Sequence, residues 1–307
     1  MPNDMQQKTI IDAHVVPDQV AQQRLSDYCV GIFPALPSRK SVKKAISRGQ
    51  VLINGQTGHT GDWVLPGMRI ELCELDQAPQ YILPLPLPIV YEDEHIALIN
   101  KPGGIPVSGN RARTVEQALL HNIKVSNEPD AYKQPRAAHR LDAPTCGLVL
   151  IAKTRSARIH LGDQFAAQAI NKQYQAIVTG QTMAEGRIDD PIDQKEAVTE
   201  FRLLKSVRSL HTDWISWLEL HPLTGRTHQL RIHLANAHYP ILGDKRYGKP
   251  GEIMRGKGLF LCATALTFEH PKTRQTMSFS IDPPPKFHNH MEREQRRWEQ
   301  FFLRKQA

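Results

Sequence analysis

The sequence predicts an α+β protein in which a small αα-then-hairpin unit precedes a body with a mixed, largely antiparallel central sheet and flanking helices. Three observations carry this expectation. Residues 24–75 hold two short stretches of helical apolar spacing followed by a tight-hairpin signal. A proline-rich segment, residues 77–88, separates them from the remainder. Residues 89–285 then carry many short β-rich runs and few helices, without the regular alternation of a parallel-sheet protein. A chain of 307 residues accommodates one large domain, or one medium domain with a small companion, and buries a core without covalent staples.

In the first unit, Leu25, Tyr28, Cys29, Ile32 and Phe33 recur at helical spacing, and a turn through Pro34 and Pro37 follows. Ser38 or Ser41 caps a second helix carrying Val42, Ala45 and Ile46, which Gly49 ends. Val51, Leu52 and Ile53 run into Asn54-Gly55, a pair suited to a two-residue hairpin turn. Residues 62–72 return as strands across Pro66-Gly67. The second helix also carries Arg39, Lys40, Lys43, Lys44 and Arg48, which on a helix taken alone form a solvated face.

The linker QAPQYILPLPLP disfavours helix and favours a stiff extended chain. In the body, residues 95–100, 147–152, 174–178, 214–220 and 260–268 read as strands. Residues 154–169 read as a helix capped by Thr154, with Ala157, Leu161, Phe165 and Ala169 every four residues. The end of the chain reads as a basic amphipathic helix whose Trp298, Phe301 and Phe302 dock back on the body. The expected units are residues 1–76, the linker 77–88, the body 89–287 and the tail helix 288–307, with no internal repeat.

Lys plus Arg exceed Asp plus Glu by 39 − 31 = 8, and the isoelectric point near 9.3 favours polyanionic partners such as nucleic acid. Cys29, Cys73, Cys146 and Cys262 are dispersed, with no metal-knuckle or redox spacing, which fits a reducing compartment. The first fourteen residues lack the apolar core of a secretory signal, and no charge-free apolar stretch is long enough to span a bilayer. A cytoplasmic protein without a membrane partner is expected, acting as a monomer.

Two segments concentrate reactive side chains. His139-Arg140-Leu141-Asp142-Ala143-Pro144-Thr145-Cys146-Gly147 bends ahead of the apolar run LVLIAK. Taken alone, its Arg-x-Asp is more often a local salt bridge than a catalytic pair. PLTGRTHQLRIH, residues 222–233, packs polar donors around what reads as a turn and strand. His139, His228 and His233 do not make a metal site: the five-residue step misses the helical ligand pattern and no Cys or Glu is spaced to help, so hydrogen bonds that shape the loops are expected. Gly103-Gly104 and Gly225 lack the spacing of a phosphate-binding fingerprint and read as turn residues.

HRLDAPTCGLVLIAKT, NKQYQAIVTG and PLTGRTHQLRIHLANAHYPILGDKRYG resemble, in order and spacing, the three signature segments of RluA-type pseudouridine synthases. VYEDEHIALINKPGGIPV is similar to that family's opening strand and Lys-Pro loop, and SRKSVKKAISRGQVLING resembles the S-four-like RNA-binding domain, in which a basic helix and hairpin grip phosphates. Two departures are visible: Arg24-Leu25-Ser26-Asp27 alters the usual Arg-Leu-Asp opening, and Cys146 stands where the family usually has Ser.

The resemblance implies isomerisation of uridine to pseudouridine in structured RNA, with large-subunit ribosomal RNA the first choice and transfer RNA the second. Moving uracil from a nitrogen link to a carbon link involves no redox step and no phosphate energy, so no cofactor and no metal are expected. Asp142 matches the family nucleophile, which splits the barrier by covalent catalysis. Attack at the sugar carbon and attack at the ring are both compatible with it. Arg231 matches the arginine that pairs with it, a role suited to a permanently charged planar fork of donors. Tyr174 matches the tyrosine that stacks on the base and assists proton removal from carbon five, although a lone tyrosine is more often a core aromatic. Leu230 is expected as an apolar wall. Arg140 matches the residue that fills the space left by a flipped base, which costs a few kcal/mol to extrude. His139, Arg226 and Lys101 are expected to contact substrate, Arg226 and Lys101 through phosphates. Two rivals stand beside this reading: a non-catalytic RNA-binding or ribosome-assembly protein, and a glycosidase or glycosylase that releases the base.

Overall fold

A computed structural model describes residues 10–73, 82–109, 113–251, 253–254 and 256–306. The chain divides into two compact units, Met1–Gln80 and Tyr81–Ala307.

The first unit comprises β1 (Ile10–Val15), β2 (Gln23–Arg24), α1 (Leu25–Tyr28), α2 (Arg39–Ser47), β3 (Val51–Ile53), β4 (Gln56–Thr57), β5 (Trp63–Val64) and β6 (Arg69–Cys73). Its four-stranded sheet runs β1-β6-β3-β4, so the sequence expectation lacked one strand, β1, which pairs antiparallel with β6. The first helix is one turn long rather than spanning 25–33, because Gly31 takes a left-handed φ of 77° and turns the chain. The apolar residues of that stretch are nonetheless buried: Leu25, Tyr28, Cys29 and Phe33 pack with Val42, Ala45 and Ile46 of α2. Ser38 caps α2 and Ser41 returns the bond, a reciprocal capping box that resolves the choice between the two serines. Asn54 and Gly55 both have positive φ, as the tight hairpin demands. Arg39, Lys40, Lys43, Lys44 and Arg48 are all exposed, and Arg39 is engaged by Asp27 at 2.6 Å.

The second unit contains β7 (Ile89–Glu92), β8 (Ile96–Lys101), α3 (Val115–Asn122), β9 (Ala131–Ala137), β10 (Cys146–Thr154), α4 (Arg155–Ala166), β11 (Asn171–Thr179), β12 (Glu185–Ile188), β13 (Thr199–Ser209), β14 (Asp213–Pro222), α5 (Gln229–Asn236), β15 (Leu261–Glu269), β16 (Thr276–Ser280) and α6 (Lys286–Gln306). These strands form one ten-stranded sheet with the central order β12-β13-β14-β11-β15-β10-β8-β7, while β16 joins β15 and β9 joins β10. Strand pairing is antiparallel except between β10 and β15, so the sheet is mixed and largely antiparallel as expected.

Of the proline linker, residues 77–81 lie outside the described residues. Residues 82–88 are not a free spacer but part of the body: Leu83 and Leu87 are buried, the Leu83 amide donates to Gln117, and Asn122 clamps the backbone at Leu85 and Leu87. The tail helix begins at Lys286, and its docking residues are Phe287 and Met291 near its start. Phe301 and Phe302 are exposed, contrary to the docking expected of them, whereas Trp298 is half-buried with the Arg208 guanidinium of β13 5.1 Å from its ring centroid.

The segment LVLIAK reads as a near-continuous apolar run because both faces of β10 are covered. Val149 and Ile151 pack with Ile99, Val115 and Leu119 on the α3 side, while Leu148 and Leu150 pack with Leu98, Ala157 and Leu161 on the α4 side. Each such fully buried aliphatic side chain contributes roughly 1.5–3 kcal/mol of burial free energy. One edge of β10 follows β8 for six residues, whereas the other is shared, with Cys146 and Gly147 facing Cys262 and Ala263 before β9 takes over. The two halves of the sheet therefore meet at a two-residue seam. Gly147 is required there, since φ is 112° and a Cβ would overlap the carbonyl of Ala263.

Gly147→Ala is expected to destabilise the protein by about 3 kcal/mol or more from strain and overpacking together. Gly61→Ala, where a Cβ meets open space, should stay within about 0.5 kcal/mol of wild type. Urea unfolding followed by circular dichroism reads both, and equal midpoints for the two variants would contradict the seam.

Candidate active site

The turn that carries Asp142 leaves β9 at Ala137 and enters β10 at Cys146. Leu141 anchors it in the core beside α3. The Thr145 amide donates to the Asp142 carbonyl at 3.1 Å, and the Gly104 amide donates to the Ala143 carbonyl at 2.7 Å. Lys101 completes the clamp from β8. Its ammonium is fully buried and donates to the carbonyls of Pro102, Ile105 and Ala143 at 2.9, 2.8 and 3.2 Å. The expectation that Lys101 contacts phosphate is therefore corrected: its donors are spent on backbone and it is sealed from solvent. Burial lowers its pKa to about 8, against the opposing pull of Cys146 and Asp142.

The second segment forms a turn and a helix, not a turn and a strand. Leu230 and Leu234 lie one turn apart and both are buried, which favours helix α5 over an alternating strand. Gln229 pins the preceding turn: it accepts from the Thr224 hydroxyl at 2.7 Å and the Arg226 amide at 3.0 Å, and donates to Val198 at 2.9 Å. His228, immediately before α5, takes a left-handed φ of 58°, an uncommon state for a residue with a side chain.

These two segments meet at Arg231. Its Nη1 donates to Asp142 Oδ2 at 2.9 Å, while Nε and Nη2 form a two-point fork onto Asp244 at 2.7 and 2.9 Å. The side chains of Arg231 and Asp244 are 7% and 1% exposed, whereas Asp142 retains 18%. The arrangement thus seals one carboxylate and presents the other. Burial alone would lower the Arg231 pKa, but the bonds from Asp244 and Asp142 outweigh it and raise the value above the ordinary range. Asp244 is likewise penalised by burial, yet Arg231 and the amides of Arg246 and Tyr247 hold its pKa down.

Asp142, Tyr174, Leu230 and Arg231 line one cavity of about 380 Å³, and Arg140, His139 and Arg226 line it too. Tyr174 projects from β11, where it pairs with Leu220 of β14, and is half-buried. Burial first, then the Asp142 charge, raises its phenol pKa. As a phenolate base it would have to release a proton held more tightly than in water, so its ring face is the more available feature. Arg140 is exposed at the mouth, free of the core. Arg226 donates from Nε to the Glu196 carbonyl at 2.8 Å and is half-buried.

His139 lines the cavity while its Nε2 accepts the Leu150 amide at 3.0 Å and its ring packs on Phe165. Burial and Lys172 lower its pKa to about 4, leaving a neutral ring. His233 is buried against Thr199 and the Asp190 carbonyl. His228 stands 3.5 Å from Asp142 Oδ1, with its other nitrogen 2.9 Å from the Tyr247 hydroxyl. Burial lowers its pKa as well, so the charge beside Asp142 comes from Arg231. Among the described residues no group of His, Cys, Asp or Glu is placed to hold a metal ion.

Asp244, Tyr247 and Lys172 lie within the segments that resemble the family but carried no expected role. No local signal marked Asp244: the five donors of a guanidinium require a second acceptor only once it is buried, and the burial of Arg231 appears only in the fold.

Comparison with known proteins adds an independent line. A family model described as RNA pseudouridylate synthase matches residues 95–236. Ribosomal large subunit pseudouridine synthase D of Xanthomonas campestris is 32% identical, with 88% of each chain covered. The protein of the same description from Pseudomonas aeruginosa is 36% identical over 76% of each chain. An uncharacterized RNA pseudouridine synthase of Aquifex aeolicus is 33% identical, covering 87% of this chain and 92% of its own. Among solved structures, human RNA Pseudouridylate Synthase Domain Containing 4 shares the fold, with a TM-score of 0.54, 24% identity, and 68% and 93% of the two chains covered.

Two measurements check the electrostatics. Asp244→Asn should cost about 3 kcal/mol in urea unfolding, because it leaves the buried guanidinium with only the partly open Asp142 carboxylate; a loss below about 1 kcal/mol would contradict the two-carboxylate arrangement. His139, with a folded pKa of about 4 against roughly 6.5 unfolded, is favoured neutral by the fold. Its contribution to stability is complete above about pH 6.5 and is lost as pH falls through 4. Its ring resonances in an NMR titration should not shift between pH 7.5 and 5.5, and a midpoint above 6 would refute the buried, accepting imidazole.

Proposed function

The chain belongs to the RNA pseudouridylate synthase family, and from that premise we propose that it converts uridine to pseudouridine in large-subunit ribosomal RNA, with Asp142 as nucleophile. The observation that carries the reading is the partly exposed Asp142 carboxylate, held by buried Arg231 in a cavity shared with Tyr174 and Leu230. The ribosomal target rests on the relatives described as ribosomal large subunit enzymes; transfer RNA is the second choice. The protein acts as a monomer in the cytoplasm, where that RNA is found.

In this reading a uridine is flipped from its stem and its uracil lies between the Tyr174 ring and Leu230, with Arg140 entering the space left behind. Arg231 keeps a negative oxygen in place while the surrounding apolar groups exclude water, so the nucleophile needs no separate base to activate it. Asp142 bonds to the nucleoside, the glycosidic nitrogen–carbon bond breaks, the base turns in the cavity, ring carbon five bonds to the sugar, and the bond to Asp142 is released to return the carboxylate. Carbon five loses its proton and the former glycosidic nitrogen gains one, so atoms balance without an oxidant or phosphate donor. The neutral His139 shapes the wall and Arg226 steadies the rim.

The amino-terminal unit grips RNA through the exposed cations of α2 and its C-cap, chiefly Lys40, Lys43, Lys44 and Arg48, since Arg39 is shared with Asp27. Such contacts position a polyanion and weaken with salt.

Asp142→Asn should lower pseudouridine formation by roughly 10⁴-fold or more while RNA affinity changes by less than a few-fold. Mapping pseudouridine across cellular RNA with wild type, the variant and no protein reads both site and activity. An unchanged map in all three would overturn the enzymatic reading in favour of an assembly protein, and free uracil in place of retained pseudouridine would favour a glycosylase.

A further inference from the structure

A second cavity, of about 780 Å³, borders Arg231 and is larger than the one holding Asp142. One wall is the proline segment at Pro86 and Pro88; the Gly103-Gly104 loop and the turn after Gly243 supply others. Gly243 and Gly258, both of which line it, touch so closely that a Cβ on Gly243 would overlap the Gly258 carbonyl.

The charge of the lining is one-sided. Six of the lining residues are basic, Lys101, Arg231, Lys245, Arg246, Lys257 and Lys286, against the single acidic residue Asp244, and of the six Lys245, Arg246 and Lys257 are exposed. That carboxylate is committed to Arg231. Lys101 and Lys286 are held by carbonyls, Lys286 through Lys257 and Leu259 at 3.0 and 2.7 Å, and so add field without leaving the wall. Lys245, Arg246 and Lys257 are exposed at the rim, and among the described residues no carboxylate lies within ion-pair distance of them. Cations of one sign around low-dielectric walls focus the field and concentrate an anion. Proline rings and glycine backbone give that anion a flat, apolar neighbour on which a planar group can lie. The volume falls within the roughly 300–1,000 Å³ of small-ligand sites.

We propose that this cavity is a second nucleotide site, whose rim cations hold a phosphate while the proline and glycine walls take the attached base. The cavity shares Arg231 with the one that holds Asp142, but its rim cations Lys245, Arg246 and Lys257 do not line that cavity, and its existence does not depend on the reaction assigned there. Two sources supply the same chemistry: a nucleotide of the bound RNA, or a free nucleoside monophosphate.

The test titrates the full-length protein with adenosine monophosphate, and separately with inorganic phosphate, following the amides of Gly103, Gly104 and Gly258 by NMR. Adenosine monophosphate should shift these amides and bind at least tenfold more tightly than inorganic phosphate. The double variant Lys245→Glu, Lys257→Glu should bind it at least tenfold more weakly than wild type. In a parallel arm, a photo-crosslinking residue at position 257 is irradiated with a ribosomal RNA fragment; a crosslink assigns the source to RNA, and its absence beside the amide shifts assigns it to the free nucleotide. Neither shifts nor crosslink overturns the proposal, as does undiminished affinity in the double variant, and equal binding of the two ligands overturns its base-holding part. Pseudouridine formation is scored in the same preparations, so loss of the second site and loss of the isomerase are told apart.

Discussion

The catalytic unit is organised around one buried guanidinium between two carboxylates. Burying Arg231 costs solvation, and a single partner would not restore it. Asp244 repays most of that cost with a two-point fork and is almost completely enclosed. The remaining donor is thereby fixed in direction, and it points at Asp142. Asp142 can stay partly open because it does not have to neutralise the arginine alone. The division of labour, one anion for structure and one for substrate, explains why the reactive group is held firmly yet still reachable.

Every element around that contact supports it. The turn bearing Asp142 is clamped by Leu141 in the core, by the Gly104 amide and by the enclosed ammonium of Lys101. The helix bearing Arg231 is set by Gln229, which ties its first turn to the start of β13. The sheet halves that present these two segments join through only two residue pairs, at Cys146 and Gly147. A small displacement at the seam would therefore carry one partner of the ion pair away from the other. This is a reason for a glycine where any side chain would collide with Ala263.

The same cations serve different ends according to depth. Lys101 and Lys153 are among the largest fully buried side chains and act as internal struts, the first on carbonyls and the second on Glu92. Arg140 and the lysines of α2 are exposed and remain available to a polyanion. Net charge by itself does not distinguish these classes, because desolvation rather than sign decides whether a basic group binds outward or inward.

Much of this was legible in the one-dimensional pattern. Local signals survive because they depend on near neighbours: the serine cap of α2, the Asn54-Gly55 hairpin, the Thr154 cap of α4 and the apolar run of β10 all formed where their residues called for them. The resemblance of residues 139–154, 171–180 and 222–248 to the signature segments of a known family also singled out Asp142, Tyr174 and Arg231, which line one cavity. What tertiary structure alone decided lies between distant residues. Arg231 meets Asp142 across 89 positions, and whether its fork turns to Asp142 or to Asp244 depends on burial, which composition does not encode. Lys101 looks like a surface cation until the Ala143 carbonyl closes over it, and the aromatic end of α6 looks like a docking face until Phe287 and Met291 take that place. Side-chain identity determined what chemistry was possible; solvent exclusion, a property of the packed whole, determined which groups were left to perform it.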